Sequence, residues 1–192
     1  KNEGTIADYM LYNTSVYKVI MEEGIEEIGN YAFASCHNLT EIEIPSTLQN
    51  IGDYAFYDNK MYSELTLPKF VEHIGDYAFA SGYRLTEINL PDSVKTIGEH
   101  AFYKCIALVK IDLSDVEIGD NAFDGCKSVT EVNLDNCTIG IDTFLDLSSL
   151  ETLTCKNTDI PNYAFHTNKS LKTVTISGGE IGEGAFAECD VL

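Results

Sequence analysis

The sequence predicts a solenoid of the α/β class, in which about eight rungs of 21–23 residues stack on one another. The first observation behind this prediction is a recurring Ala-Phe-like pair, whose phenylalanines are separated by 23, 23, 23, 21, 21, 21 and 21 residues. The second is a pair of alternating apolar residues that follows each of these phenylalanines except the last. A unit of this length cannot bury its own apolar face, so each rung is stable only against its neighbours.

The first 27 residues are predicted to form a degenerate capping rung, residues 1–27. They lack the Ala-Phe pair, although a shift of 23 positions places these apolar residues on the repeat columns: Met10, Val16, Val19, Met21 and Ile25. A terminal rung has one stacking neighbour, so it tolerates the loss of signature residues. Residues 28–192 are then one continuous solenoid. Because the chain starts at Lys1 and stops just before another strand, we expect a piece of a longer protein, with an open C-terminal edge available for self-association.

Each regular rung is predicted to contain one main strand, one returning arm and one short helical turn. The alternating apolar pair, such as Ile42 and Ile44, indicates the strand, and proline follows it directly in three rungs: Pro45, Pro68 and Pro91. Proline removes a ladder donor and so closes the strand. A glycine and a polar residue, such as Gly29-Asn30, then indicate a bend and the N-cap of a helical turn that carries Phe33 inward.

From residue 114 onward every rung is two residues shorter, and both residues are lost from the returning arm. The apolar position on this arm, which is Leu48, Val71 and Val94 in the long rungs, decays through Val116, Cys137, Thr158 and Gly179. Smaller and more polar side chains fill less of the interior. We therefore expect a tighter arc and looser packing toward the C-terminus.

The interior is predicted to hold one aromatic ladder with further apolar columns beside it. The ladder comprises Phe33, Phe56, Phe79, Phe102, Phe123, Phe144, Phe165 and Phe186. Six residues after each phenylalanine stands a second column, made of Leu39, Tyr62, Leu85, Leu108, Val129, Leu150, Leu171 and Leu192. Packing alone explains both columns, so the ladder is interpreted as structural and not as a cofactor site.

The six cysteines also have packing explanations. Cys36, Cys105, Cys126 and Cys189 each stand three residues after a ladder phenylalanine, whereas Cys137 and Cys155 occupy apolar positions of the arm and the strand. Buried thiols behave as small apolar side chains, which favours free cysteines. The alternative is a disulfide, for which Cys105 and Cys126 in adjacent rungs are close enough in principle.

Charge and motif content argue against several classes of function. Twelve basic residues against 31 acidic ones give a formal net charge of −19, which disfavours a nucleic acid or an anionic membrane as partner. No apolar run is long enough for direct membrane insertion. The histidines His37, His73, His100 and His166 fall at four different phases of the repeat, so no zinc site is expected. Calcium loops, Cys-His catalytic arrangements and phosphate-binding glycine loops are missing, so neither a cofactor nor an enzymatic activity is predicted.

The outward side of the main strands, which would line a concave face, is the candidate binding surface. Its candidate residues are acidic in the earlier rungs and threonines in the last two strands: Glu41, Glu43, Glu64, Glu87, Asp112, Glu131, Thr152, Thr154, Thr173 and Thr175. One interpretation is a solvated acidic face that prevents edge-to-edge aggregation. The other is a docking surface for a basic protein partner. A second candidate is an outer tyrosine column, of Tyr31, Tyr54, Tyr77 and Tyr163, for which covering of the turns is the simpler explanation.

The combined pattern I-G-x-x-A-F-x-x-C-x-x-L-x-x-I-x-L-P resembles the BspA-like class of leucine-rich-repeat surface proteins over about residues 16–192. This resemblance implies a right-handed superhelix without enzymatic chemistry, in a secreted or cell-surface protein. It also implies adhesion, in which a host extracellular-matrix protein or another surface protein binds the concave face. The alternative function is a passive spacer that holds other domains away from a cell envelope.

Overall fold

The computed structural model describes residues 4–59 and 63–192 and shows a parallel β-solenoid. Tyr62, which the repeat places in the leucine column, lies outside the described residues. Paired strands come from successive rungs and are all parallel, which confirms the predicted solenoid class. Fifteen strands lie within the described residues: β1 (Thr5–Ile6), β2 (Lys18–Ile20), β3 (Glu27–Ile28), β4 (Glu41–Glu43), β5 (Asn50–Ile51), β6 (Glu64–Thr66), β7 (His73–Ile74), β8 (Glu87–Asn89), β9 (Thr96–Ile97), β10 (Lys110–Ser114), β11 (Glu117–Ile118), β12 (Glu131–Asp135), β13 (Thr138–Ile139), β14 (Thr152–Lys156) and β15 (Thr173–Ser177).

The main strands form one side of each rung and belong to three separate sheets, β2-β4, β6-β8 and β10-β12-β14-β15. They have three residues each from β2 to β8 and five residues each from β10 onward. Proline explains the change, because it follows the alternating apolar pair in the long rungs and stops the ladder there. Ser114, Asp135 and Lys156 occupy that position in the shorter rungs and pair with their neighbours.

A fourth sheet, which was not predicted separately, runs along the returning arm. The two-residue strands β1, β3, β5, β7, β9, β11 and β13 pair in that order, and a bridge between Ile160 and Ile181 continues the ladder. A recurring isoleucine was the sequence signal for this sheet. It is buried in seven rungs, at Ile28, Ile51, Ile74, Ile97, Ile118, Ile139 and Ile160.

The prediction of a helical turn around each Ala-Phe pair is wrong, because none of the described residues forms a helix. The backbone has positive φ on both sides of the pair, as at Tyr31 (56°) and Ser35 (56°), and the rungs that follow repeat these two positions. The N–H groups of Tyr31, Phe33 and Ser35 donate to carbonyl oxygens of the next rung at 2.8–2.9 Å. In a helix these N–H groups would point along its own axis, so pairing between rungs takes precedence over helix formation.

The polar residues predicted as helix N-caps join neighbouring rungs instead. Oδ1 of Asn30 accepts a hydrogen bond from the backbone N–H of Asp53, in the next rung, at 2.8 Å. Asp53 and Asp76 accept from the following rungs in the same way, at 2.9 and 2.7 Å. An acceptor that belongs to one rung therefore orders the backbone of the next.

The recurring glycine before these polar residues has a role different from the predicted bend. Gly75 and Gly98 do not have positive φ, so residues other than glycine can adopt the backbone conformation at these positions. The rungs, however, approach each other too closely for a side chain. A Cβ atom on Gly98 would lie 2.5 Å from Oδ1 of Asp76 and 2.6 Å from its backbone nitrogen. The glycine column is thus required by close packing of the rungs.

The phenylalanines of the ladder stack through the centre of the solenoid. Consecutive ring centroids lie 4.8–5.9 Å apart, with interplanar angles of 3–17°. Phe102, Phe123, Phe144 and Phe165 are each 0% exposed, whereas the terminal Phe186 is partly buried. Offset stacking at these distances adds to the free energy that burial of the rings contributes.

In part of the first rung, the alignment with the second rung is shifted by one residue relative to the prediction. β2 pairs with β4 in the predicted register, 23 positions apart. The prediction for Met10 is wrong, because its side chain is 58% exposed and Leu11 packs against the core instead. Tyr9 stacks on Tyr31, which shows that this part of the rung is shifted by 22 positions.

The loosening expected in the shorter rungs is absent before Gly179. The arm position remains buried at Val116, Cys137 and Thr158. The hydroxyl of Thr158 donates to the carbonyl of Lys156 at 2.8 Å and accepts from the N–H of Cys137 at 3.1 Å. A buried hydroxyl with both partners satisfied costs little free energy, so the rung stays closed.

Candidate interaction surface

We define the strand face as the outward side chains of the main strands. The ten residues predicted for the binding surface all lie on it, and each is exposed or half-exposed. Strand register within each sheet, and the sequence repeat across the breaks between sheets, arrange the face in two columns. The first column contains Lys18, Glu41, Glu64, Glu87, Lys110, Glu131, Thr152 and Thr173, and the second contains Ile20, Glu43, Thr66, Asn89, Asp112, Asn133, Thr154 and Thr175.

A lysine bridges the two acidic side chains at the N-terminal end of the strand face. Nζ of Lys18 lies 3.3 Å from Oε2 of Glu41 and 2.7 Å from Oε1 of Glu43. Hydrogen bonds to Glu43 and Glu41 raise the pKa of Lys18. Because all three groups are exposed, their ion pairs contribute little to stability. Two of the carboxylates predicted for the binding surface are nevertheless engaged by Lys18.

A second network of this kind closes around Lys110. Its Nζ lies 3.0 Å from Oδ2 of Asp112 and 3.0 Å from Oε1 of Glu131. Nδ2 of Asn133 donates to both carboxylates at 2.6 Å. Hydrogen bonds from Asn133 and Lys110 lower the pKa of Glu131, so the network is complete at neutral pH and weakens when acid protonates this carboxylate.

Glu64 and Glu87 lie between these two networks. They are register partners on β6 and β8, so two carboxylates stand directly opposite each other. Oε1 of Glu64 accepts hydrogen bonds from Asn89 at 3.2 Å and Thr66 at 3.4 Å. Among the described residues, neither glutamate has a basic partner within ion-pair distance. Like charges opposite each other on paired strands are unfavourable.

The C-terminal end of the strand face carries four threonines in two register pairs. Thr152 pairs with Thr173, and Thr154 pairs with Thr175. Their hydroxyl groups make no hydrogen bond to any side chain or backbone group that the structure describes. These hydroxyls are therefore available to an external partner.

Two clefts lie at the breaks between the three main-strand sheets. The cleft between β4 and β6 has a volume of about 540 Å³, and its apolar lining is Ile42, Ile44, Leu65, Leu67 and Pro68. The cleft between β8 and β10 has a volume of about 470 Å³ and contains Ile88 and Val109 beside Glu87 and Lys110. A third cavity of about 370 Å³ lies at the C-terminal ends of β10 and β12.

The outer tyrosine column is a continuous stack in the first half of the chain. Tyr9, Tyr31, Tyr54, Tyr77 and then His100 follow one another with centroids 4.5–4.8 Å apart and interplanar angles of 4–6°. Burial, with smaller contributions from neighbouring tyrosines and carboxylates, raises the pKa values of the inner tyrosines. The predicted member Tyr163 lies outside the stack and is 48% exposed. Since the ring faces cover each other, this column is explained by packing.

The cysteines are free thiols, and five of the six are buried. Four of them donate to a backbone carbonyl of the preceding rung at 3.0–3.3 Å: Cys36, Cys105, Cys126 and Cys189. Burial raises the pKa of Cys105 to about 12 and that of Cys155 also to about 12. Because the thiolate is the reactive form, these groups are poor nucleophiles in the folded chain.

We predict that iodoacetamide labels Cys189 of the native protein first, because this thiol is only half-buried and lies in the last rung. Cys105 and Cys155 should be labelled only after denaturant is added. Peptide mass spectrometry of a labelling time course measures both rates, with Cys189→Ser as the control for assignment. Native labelling of Cys105 as fast as that of Cys189 would contradict the buried thiol column.

The described residues offer no group of three or more histidine, cysteine or acidic side chains placed to hold a metal ion. Nor does any helix that could cross a bilayer occur in the part of the chain that the structure describes. The four histidines, moreover, lie in separate environments, as their different repeat phases predict. His37, for example, contacts Asp58 at 2.9 Å, whereas His73 contacts Thr96 at 2.8 Å.

Parallel rungs with the repeated L-x-x-I-x-L frame define a leucine-rich-repeat solenoid. The chain belongs to the BspA-type leucine-rich-repeat family, because the model for the "BspA type Leucine rich repeat region" matches six copies over residues 4–129 and 115–192. The resemblance inferred from the sequence is thereby confirmed. Solenoids of this family are generally non-catalytic. No curated protein matches the chain.

Solved structures of bacterial leucine-rich-repeat proteins share the fold. The T. pallidum leucine-rich-repeat protein has a TM-score of 0.68 and 24% identity, over 98% of this chain and 82% of that one. A protein from Eubacterium ventriosum has the same score and identity, over 100% of this chain and 48% of that one, so the present chain spans about half of it. A leucine-rich cell surface protein from Faecalibacterium prausnitzii has a TM-score of 0.56 and 21% identity, over 98% and 69%.

Proposed function

We propose that the chain is a protein-binding or adhesion module of a secreted or cell-surface protein, and that its strand face engages the partner. The observation that carries this proposal concerns two sets of exposed or half-exposed strand-face groups. Among the residues that the structure describes, Glu64 and Glu87 have no basic partner, and the hydroxyl groups of Thr152, Thr154, Thr173 and Thr175 make no hydrogen bond. Rigid strands hold these groups at fixed spacing, which suits a binding surface. Family membership and the description of the F. prausnitzii protein as a cell surface protein support an extracellular location.

The partner that this surface fits is a protein with a basic face, such as a host extracellular-matrix protein or another surface protein. A net charge of −19 attracts such a partner over a distance and repels nucleic acid. The threonine hydroxyls would add hydrogen bonds at the C-terminal end of the contact. Charge thus selects the class of partner, and the polar pattern determines its position.

A passive spacer is the second candidate function, and one observation favours it. Lys18 and Lys110 form ion pairs with four of the six predicted strand-face carboxylates within the chain itself. A surface with internally satisfied charges is well suited to remain soluble without a partner. Under this alternative the solenoid holds flanking domains apart and its strand face binds nothing.

Binding to immobilised extracellular-matrix proteins and mucin across a salt series distinguishes the two functions. The test variant carries Lys at four strand-face positions, through Glu41→Lys, Glu64→Lys, Glu87→Lys and Glu131→Lys. The control variant has the same change in charge at exposed glutamates off the strand face, through Glu22→Lys, Glu27→Lys, Glu117→Lys and Glu180→Lys. Thermal unfolding of all three proteins verifies that they are folded.

We expect salt-sensitive binding that the strand-face variant loses and the control variant largely retains. Saturable binding that is equal in both variants would place the site elsewhere on the molecule and contradict the proposal. If none of the immobilised proteins is bound by the wild type, the result supports the spacer.

A further inference from the structure

We propose that a basic segment of the partner docks across the strand pair β6–β8, with one arginine side chain received by Glu64 and Glu87 and a neighbouring aliphatic side chain in the cleft between β4 and β6. This inference rests on the proposed function and specifies the place and the chemistry of the contact. Its starting point is the charge pattern of the strand face. Within residues 4–59 and 63–192, the acidic pair on β6–β8 is the part of this face that has no basic partner.

The chain shows how a cation sits on this face. At either end of the acidic region one lysine bridges two carboxylates, with Nζ–O distances between 2.7 and 3.3 Å. Each of these lysines stands in the first column and contacts one carboxylate of the first column and one of the second. Glu64 and Glu87 instead stand opposite each other in the first column, and no basic residue that the structure describes lies within ion-pair distance of either. A cation from a partner would occupy the place between these two neighbouring carboxylates.

The apolar surroundings indicate that more than a free ion is bound. The cleft of about 540 Å³ adjoins Glu64, and half-exposed Ile42 and Ile44 lie in its wall with buried Leu65. The second cleft, of about 470 Å³, adjoins Glu87 on the other side. A side chain of leucine or isoleucine in the first cleft would remove these apolar surfaces from water. The occupant is therefore a polypeptide that carries an aliphatic residue close to its basic one.

Arginine fits the pair of glutamates better than lysine does. Neighbouring strands lie roughly 4.8 Å apart, so the two carboxylates are within reach of one planar guanidinium with five N–H donors. Arginine forms bidentate contacts to carboxylates and is weakly hydrated, which favours its transfer to a surface with apolar neighbours. Glu64 is already oriented by Asn89 and Thr66, so less side-chain entropy is lost on binding.

A second copy of this chain is the competing occupant. Arg84 is the single arginine of the sequence and is exposed. Two chains of net charge −19 repel each other, however, which disfavours this contact relative to a basic partner. Sedimentation equilibrium of the wild type separates the two cases, because only a second copy would make the mass depend on concentration.

The test begins with a phage-displayed library of random peptides selected on the immobilised wild-type chain. We expect the enriched peptides to contain an arginine with an aliphatic residue within two positions. A synthetic consensus peptide should bind about tenfold more weakly, or worse, when citrulline replaces its arginine, because citrulline keeps the shape and loses the charge. The same loss is expected with the Glu64→Gln/Glu87→Gln variant of the chain.

The matched control is Glu27→Gln/Glu117→Gln, which removes two exposed carboxylates from the returning sheet and should leave binding unchanged. Removal of the opposed charges should not impair folding, and we expect an equal or higher thermal midpoint for Glu64→Gln/Glu87→Gln. Failure to enrich any peptide, enrichment of peptides without arginine, or a concentration-dependent mass of the wild type would overturn the proposal.

A third variant separates this inference from the proposed function. Thr152→Ala/Thr173→Ala alters the other end of the strand face and leaves β6–β8 intact. Loss of peptide binding in this variant but not in Glu64→Gln/Glu87→Gln would overturn the arginine site while supporting the strand face as the interaction surface. Binding that is indifferent to both variants would contradict both proposals.

Discussion

Replacement of Phe102 by alanine is expected to lower the free energy of unfolding by roughly 3–5 kcal/mol. Phe102 is 0% exposed, and its ring lies 5.4 Å from that of Phe79 and 5.2 Å from that of Phe123. The rungs on both sides remain intact, so the structure cannot collapse easily into the space that the ring leaves. Denaturation with urea, followed by far-ultraviolet circular dichroism, measures the change.

Two phenylalanines of this chain serve as matched controls for Phe102→Ala. Phe186 ends the ladder, is only partly buried and has one stacked neighbour at 5.9 Å, so Phe186→Ala should cost clearly less. Phe70 lies outside the ladder and is 51% exposed, so Phe70→Ala should have little effect. Equal losses in all three variants would contradict a continuous aromatic ladder as the core of the solenoid.

The substitution Gly98→Ala is expected to cost about 3 kcal/mol, although it adds a single methyl group. The added Cβ would lie 2.5 Å from Oδ1 of Asp76, 2.6 Å from the backbone nitrogen of Asp76 and 2.6 Å from the carbonyl carbon of Gly75. The last two of these atoms belong to the backbone. Backbone atoms of paired rungs cannot move aside without breaking hydrogen bonds such as that between Glu99 and Asp76. The free energy of unfolding in urea is again the quantity to measure.

Gly82→Ala is the control for the effect of adding a methyl group to a buried glycine. The nearest atoms to its Cβ would be the carbonyl oxygen of Phe79 at 3.1 Å and Sγ of Cys105 at 3.4 Å. A shift of a few tenths of an ångström relieves these contacts, so the loss should stay near about 1 kcal/mol. Addition of Asp76→Ala to Gly98→Ala should not restore stability, because the backbone contacts remain. A neutral Gly98→Ala would show that the rungs are farther apart than described.

The repeat predicted the solenoid class and the interior of each rung because the same residue type recurs wherever rungs stack. The phenylalanine column, for instance, can be predicted from its spacing without knowing the conformation of the turn that contains each phenylalanine. The prediction of helical turns was wrong because the polar residues at Asn30 and Asp53 suit both a helix N-cap and a contact between rungs. Positive φ at Tyr31 and Ser35 decides between the two, and neither residue type favours that conformation.

The strand face was predicted less completely than the core. The repeat identified which residues point outward, because alternation along a strand fixes the face. It did not reveal that Lys18 and Lys110 each bridge two carboxylates, since a bridge depends on rotamers and on the neighbour in the next rung. The clefts beside Glu64 and Glu87 lie at breaks between sheets, for which the regular alternating pattern contains no signal.

Carboxyl-group footprinting tests most directly whether the strand face is the interaction surface. The chain is labelled with a carbodiimide and glycine ethyl ester, alone and saturated with a matrix protein that binds it, and each site is quantified by peptide mass spectrometry. Binding at the strand face should protect Glu64 and Glu87, while Glu27 and Glu117 on the returning sheet are labelled as before. Protection of Glu27 and Glu117 with unchanged labelling of Glu64 and Glu87 would contradict it.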